Sequence, residues 1–127
     1  MADRRSAASL TVVTLVLVLE ASASAQVQTL KGRLVDQVCY GIDNANIGDS
    51  HPGMAKDCAT TCAQKGSSVA LLTADGKVYE LSGGLAANNN AKLVPHIAHI
   101  VQIRGRVTLY RDGTRSIDAK SLAMISQ

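Results

Sequence analysis

Residues 101–114 read Val-Gln-Ile-Arg-Gly-Arg-Val-Thr-Leu-Tyr-Arg-Asp-Gly-Thr, and this stretch decides the fold class. Val101, Ile103, Gly105, Val107 and Leu109 alternate with Gln102, Arg104, Arg106, Thr108 and Tyr110. A period of two sustained this long is a strand with one face in a core and one in water. Gly105 in its middle predicts a bulge or a tight bend, as at the corner of a barrel. Arg111-Asp112-Gly113-Thr114 is a hairpin turn, with the glycine placed for positive φ. A last strand is expected over Arg115 to Ile125, with a break near Lys120.

Working outward from there, a second hairpin precedes it. Ser68–Thr73 and Lys77–Leu81 flank Ala74-Asp75-Gly76, and Asp-Gly between two apolar runs is a strong turn signal. The first strand is predicted over Thr29 to Val38, with Leu30, Gly32, Leu34, Asp36 and Val38 on one face; Asp36 must then point inward or mark the strand end. One clear helix is predicted, Pro52 to Lys65, with Pro52 in its first turn and Gly66 just past its end. Leu85–Pro95 is a weaker segment, one helical turn or an irregular loop. The expected fold is mainly β: a small five-stranded OB-like barrel with one helix inserted between strands 1 and 2.

Residues 1–25 read as a signal peptide. Arg4 and Arg5 form a basic start, Leu10–Leu19 an apolar run, and Ala23-Ser24-Ala25 a small-residue cleavage site before Gln26. The apolar run is shorter than the roughly 20 residues that span a bilayer. Residues 26–127 are then a single OB-like β-barrel domain, exported to the periplasm or secreted. The chain has no Phe and no Trp and only three Tyr, so its core is aliphatic and thin. A domain of this size is marginal without a staple. The net charge of +3, interspersed along the sequence, gives no reason to expect nucleic acid or a membrane surface as partner.

The three cysteines, Cys39, Cys58 and Cys62, carry the functional reading. In an exported protein cysteines pair, but an odd number leaves at least one thiol for a metal, a partner, redox chemistry or burial. On a helix Cys58 and Cys62 share a face with Cβ atoms about 5–6 Å apart, whereas a disulfide wants about 3.8 Å. Cys39 is therefore the better disulfide partner for one of them. Such a bridge would close a loop of about 20 residues and contribute roughly 3 kcal/mol. The alternative is a thiolate site for copper or zinc made by Cys39, Cys58 and Cys62. His51 is the candidate fourth ligand. On a continuous helix it would sit about 10 Å from Cys58 along the axis, so it joins only if the chain before Pro52 folds back. A thiol-redox protein is the third reading, argued against by the lack of Cys-x-x-Cys and of cations other than Lys56 and Lys65 to lower a thiol pKa.

His96 and His99 face one another only if Pro95–Ile100 makes a helical turn, and otherwise read as surface histidines at a strand entrance. Asp36, Asp43, Asp49 and Asp57 read as turn and helix-start residues. No phosphate loop, Ser/His/Asp order or nucleotide motif is present, so no catalytic residues are assigned and a non-enzymatic role is favoured.

Taken together, Gly32-Arg33-Leu34-Val35-Asp36, Cys39-Tyr40, His51, Cys58-x3-Cys62 before Gly66, Val69–Leu72, Asp75-Gly76-Lys77-Val78-Tyr79 and Val101-x-Ile103-x-Gly105-x-Val107 form one pattern. By that pattern the chain resembles an uncharacterised family of small exported bacterial proteins. The resemblance implies an OB-like barrel, an envelope location and a shared Cys/His site, and it implies no catalytic activity. Oligonucleotide binding, the usual inference from such a barrel, fits badly with an exported chain so poor in aromatics. The expected function is an exported, non-enzymatic binding or interaction module with a cysteine-rich helix segment, and an envelope protein is the expected kind of partner.

Overall fold

A computed structural model describes residues 25–50 and 57–127. The expected signal peptide, apart from Ala25, and His51 to Lys56 lie outside the described residues. Five strands are present: β1 (Gln26–Asp36), β2 (Val69–Thr73), β3 (Val78–Ser82), β4 (Ile100–Leu109) and β5 (Arg115–Ser126). They close into a barrel in the order β1-β2-β3-β5-β4. All pairs are antiparallel except β3 with β5. This is the expected OB-like barrel.

Closure depends on β1 pairing on both sides. Gln26 to Arg33 pair with β4, and Gly32 to Asp36 pair with β2. Gly32 belongs to both ladders, and a Cβ there would collide with the Leu72 carbonyl oxygen. Gly105 plays the matching part in β4, where a Cβ would run into the Asp118 carbonyl. The ladder between β4 and β5 shifts register at this point: Arg104 faces Ser121 and Gly105 faces Ala119, so Lys120 is the extra residue of a bulge. The break expected near Lys120 is thus a bulge within a continuous strand. A bulge raises local twist, which a small barrel needs to turn its corners.

The interior is aliphatic. Leu34, Leu71, Val101, Ile103 and Ile117 are fully buried on the strands, and Tyr79 is the one aromatic residue in the core. Leu93 and Ile97 enter it from the connection between β3 and β4.

Among the described residues between β1 and β2 the chain forms two helices where one was expected. The first, α1 (Gln37–Ile42), takes over where the strand was expected to run on to Val38. Asp36 ends β1 and caps α1, its side chain accepting the Cys39 N–H at 2.9 Å. Val38 consequently faces solvent at 58% exposure. The second helix, α2 (Cys58–Gln64), begins six residues later than predicted from Pro52. Asp57 before it is left-handed, φ 61°, so the helix cannot extend back through it. It ends as predicted. Gly66 adopts φ +92°, its N–H bonds the Ala63 carbonyl, and the Ser67 N–H bonds the Cys62 carbonyl, which together satisfy the last turn. The buried side of α2 is Ala59 and Ala63, small enough to let the helix lie close on the barrel core.

Substitution of Gly105 by Ala is expected to lower stability by about 1–3 kcal/mol through forced displacement of the β5 backbone. A urea midpoint equal to that of the wild type would contradict this account of the barrel corner.

Candidate functional site

The cysteine region is built around a buried carboxylate. Asp36 is 1% exposed and lies where β1 meets α1. One oxygen accepts the Cys39 N–H at 2.9 Å, and the other accepts the Ser67 hydroxyl at 2.8 Å. The Ser67 N–H in turn holds the Cys62 carbonyl at 3.0 Å. A continuous hydrogen-bonded path therefore links Cys39 on α1, through Asp36 and Ser67, to Cys62 on α2.

Two further contacts fix α2. Its N-terminus lacks a side-chain cap from Asp57. Asp49 supplies one from a distance, its carboxylate accepting the Thr60 N–H at 2.8 Å and the Thr60 hydroxyl at 3.0 Å. The C-terminus is held by Asn90, 5% exposed, whose amide donates to the Ala63 and Ser67 carbonyls, each at 2.9 Å. Asn90 reaches them from a turn in which Asn88, Asn89 and Asn90 are all left-handed, φ 54–60°. Asparagine is the non-glycine residue best suited to that region.

The cysteines themselves differ in setting. Cys39 is buried at 8% exposure, while Cys58 and Cys62 are half-buried. Burial, reinforced by the Asp36 charge and a hydrogen bond to Asp36, pushes the Cys39 thiol from 9.0 up to about 11; Cys58 and Cys62 add smaller effects in the same direction. The Cys62 thiol is also raised, by burial first and then by the charge of Cys58 and a hydrogen bond with it; Asp36 adds to the rise and Lys65 opposes it. The one-face arrangement of Cys58 and Cys62 expected from their spacing is therefore present.

The expected disulfide is not formed: Cys39, Cys58 and Cys62 are all thiols. For Cys58 and Cys62 the helical spacing already opposes a bridge, and the Cys39 thiol is turned to Asp36 instead. Among the described residues, no three His, Cys, Asp or Glu side chains are grouped so as to hold a metal ion. His51 and Lys56 lie outside the described residues. The separation argued for His51 from a continuous helix no longer applies, since α2 starts at Cys58.

The histidines do meet. Val94–His96 is a 3-10 turn, and the His96 and His99 rings lie edge to face with centroids 6.4 Å apart. Each Nδ1 is buried without a hydrogen-bond partner. They belong to the β3–β4 connection and form no part of the thiol cluster.

Of the four carboxylates read as turn and helix-start residues, Asp36 and Asp49 cap helices and Asp43 accepts the Ala45 N–H in a turn. The sequence reading missed Ser67 and Asn90 as members of the cysteine region. The run Asn88-Asn89-Asn90 was the only signal for the latter, through its tolerance of left-handed backbone.

Against this geometry, comparison with known proteins is negative: no family model, curated protein or solved structure matches the chain. Among the described residues no helix is long and apolar enough to cross a membrane. The fold and the cysteine region thus define a small closed β-barrel carrying three thiols on a two-helix insertion.

Two outcomes follow from these contacts. Asn90→Ala leaves the Ser67 carbonyl without its side-chain donor and removes one of two donors to the Ala63 carbonyl, and is expected to cost about 1–3 kcal/mol, with faster amide exchange in α2 than in the barrel strands. Cys39 titrates above its unfolded value, so the folded state retains a proton that the unfolded chain loses; stability should fall as pH rises from about 9 to about 11. Urea midpoints across that range should fall less steeply in Cys39→Ala, and parallel curves would show that Cys39 does not govern the loss.

Proposed function

We propose that this protein is an exported, non-enzymatic binding or interaction module whose working part is the two-helix insertion bearing Cys39, Cys58 and Cys62. The observation that carries the reading is the convergence of the Cys39 and Cys62 segments on buried Asp36. A buried carboxylate with this many partners holds α1 and α2 in one arrangement, which is what a recognition surface needs and what a mobile loop lacks. The barrel beneath is filled by aliphatic side chains of its own strands.

A catalytic thiol is disfavoured by the electrostatics. A nucleophilic cysteine needs a lowered pKa, and both Cys39 and Cys62 are raised. Two other fates are proposed for the three cysteines, each reached by loss of the thiol proton. In an oxidising compartment Cys39 would leave Asp36 and pair with one cysteine of α2, stapling the insertion and leaving one thiol. The second fate is copper or zinc, favoured by the contact between Cys58 and Cys62 on one half-buried face. Metal binding would displace the thiol protons and draw Cys39 away from Asp36.

Thiol counting by mass spectrometry on protein exported from cells and purified without chelator tests the reading, with metal analysis and N-terminal sequencing on the same sample. An N-terminus at Gln26, one alkylatable thiol and no metal is the expected result. Three thiols with about one copper or zinc per chain would move the assignment to the metal-handling reading. Three thiols without metal, or an intact residue 1–25 segment, would overturn it.

A further inference from the structure

The fold brings charges that are distant in sequence onto common faces. Asp36, Asp43, Asp49 and Asp57 all fall in or beside the two-helix insertion. The opposite sign gathers on the outer face of β1, β4 and β5, where β4 is the middle strand. Val101, Ile103 and Gly105 point into the barrel, so Gln102, Arg104 and Arg106 point out and are exposed. Lys31 lies opposite Gln102, and Thr29 and Ser121 lie on either side of Arg104. Residues two apart on one strand lie about 7 Å apart, and diagonal neighbours such as Lys31 and Arg104 about 7–8 Å.

These cations are not neutralised. The ion pairs among the described residues are Lys77–Asp75 and Lys120–Asp118. β4 has no carboxylate, and Asp118, which faces Arg106 across the ladder, is held by Lys120 at 3.0 Å. Lys31, Arg104 and Arg106 therefore form an exposed face with an excess of positive charge, which Asp118 opposite Arg106 offsets only in part because it also pairs with Lys120. Around Arg104 the surface dips into a shallow depression of about 290 Å³ lined by Thr29, Gln102, Ser121, Leu122 and Ala123. The patch thus combines unpaired cations with hydroxyl and amide groups.

We infer that the outer β1–β4–β5 face binds an acidic polysaccharide, its anionic groups taken by Lys31, Arg104 and Arg106 and its hydroxyls by Thr29, Gln102 and Ser121. Charge complementarity selects an anion, and the regular spacing of the three cations along the sheet suits a polymer with repeated anionic groups. The three strands carry no aromatic residue. A single-stranded nucleic acid is held largely by stacking on aromatics, so this face fits the glycan and lacks what the nucleic acid needs. The inference is independent of the thiols, which lie on the insertion.

Fluorescence anisotropy with labelled polygalacturonate and dextran sulfate tests it, using uncharged dextran as control. Binding to at least one acidic chain and none to dextran is expected. K31Q/R104Q/R106Q should weaken it by roughly tenfold or more. K65Q/K92Q/R111Q, which removes the same charge from exposed sites elsewhere, should leave it nearly unchanged, as should replacement of all three cysteines by serine. Thermal melts establish that each variant is folded. No binding to either acidic chain, or equal weakening by both charge variants, would overturn the assignment. Tighter binding of poly(dT) or of phosphatidylglycerol vesicles, lost in K31Q/R104Q/R106Q, would overturn it in favour of those ligands.

Discussion

Five strands close into a barrel only where one strand can turn from one neighbour to another, and here β1 does so at Gly32. That residue sits in both ladders, against the Leu72 carbonyl, with no room for a side chain. Gly105 answers it on β4, where the bulge at Lys120 adds the twist that brings β5 around to lie parallel to β3. With these two close approaches in place, aliphatic side chains alone suffice to fill the interior. The lack of Phe and Trp is tolerable because the barrel is narrow, and because Leu93 and Ile97 together with Ala59 and Ala63 complete the core from outside the strands.

The direction in which β1 ends determines everything above the barrel. Asp36 is the last residue of the strand and the cap of the first helix, and it is buried. Its carboxylate gathers a backbone N–H, a serine hydroxyl and a thiol, so the insertion is anchored at its root and not only at its tip. Asp49 and Asn90 then grip the two ends of α2 from opposite sides. The thiols are consequently held by a polar framework, and burial, reinforced by the charge of that carboxylate, raises the Cys39 thiol from 9.0 to about 11.

Much of the barrel was legible because strand periodicity and turn chemistry are local. The alternation from Val101 to Leu109, the Asp-Gly turns before Lys77 and Thr114, and the glycine after α2 each reflect conformational preferences of a few adjacent residues. The helix boundary at Cys58 was not legible, since Pro52 is a good first-turn residue and nothing adjacent announces the left-handed Asp57. Val38 was misplaced on a strand for a related reason. The alternation runs through Asp36, and only burial of that carboxylate beside Ser67, thirty-one positions away, makes a helix cap of it.

Taken alone, the sequence determined the fold class, the turns, the bend at Gly105 and the clustering of three cysteines in one connection, because each is written in neighbouring residues. Tertiary structure decided the rest. It joined Asp36 to Ser67 and Asn90 to α2, brought the His96 and His99 rings together, and set Lys31, Arg104 and Arg106 on one outer face of the sheet. Those features depend on which strands lie side by side and in what register. That is settled by closure of the barrel as a whole, and no short stretch of sequence carries it.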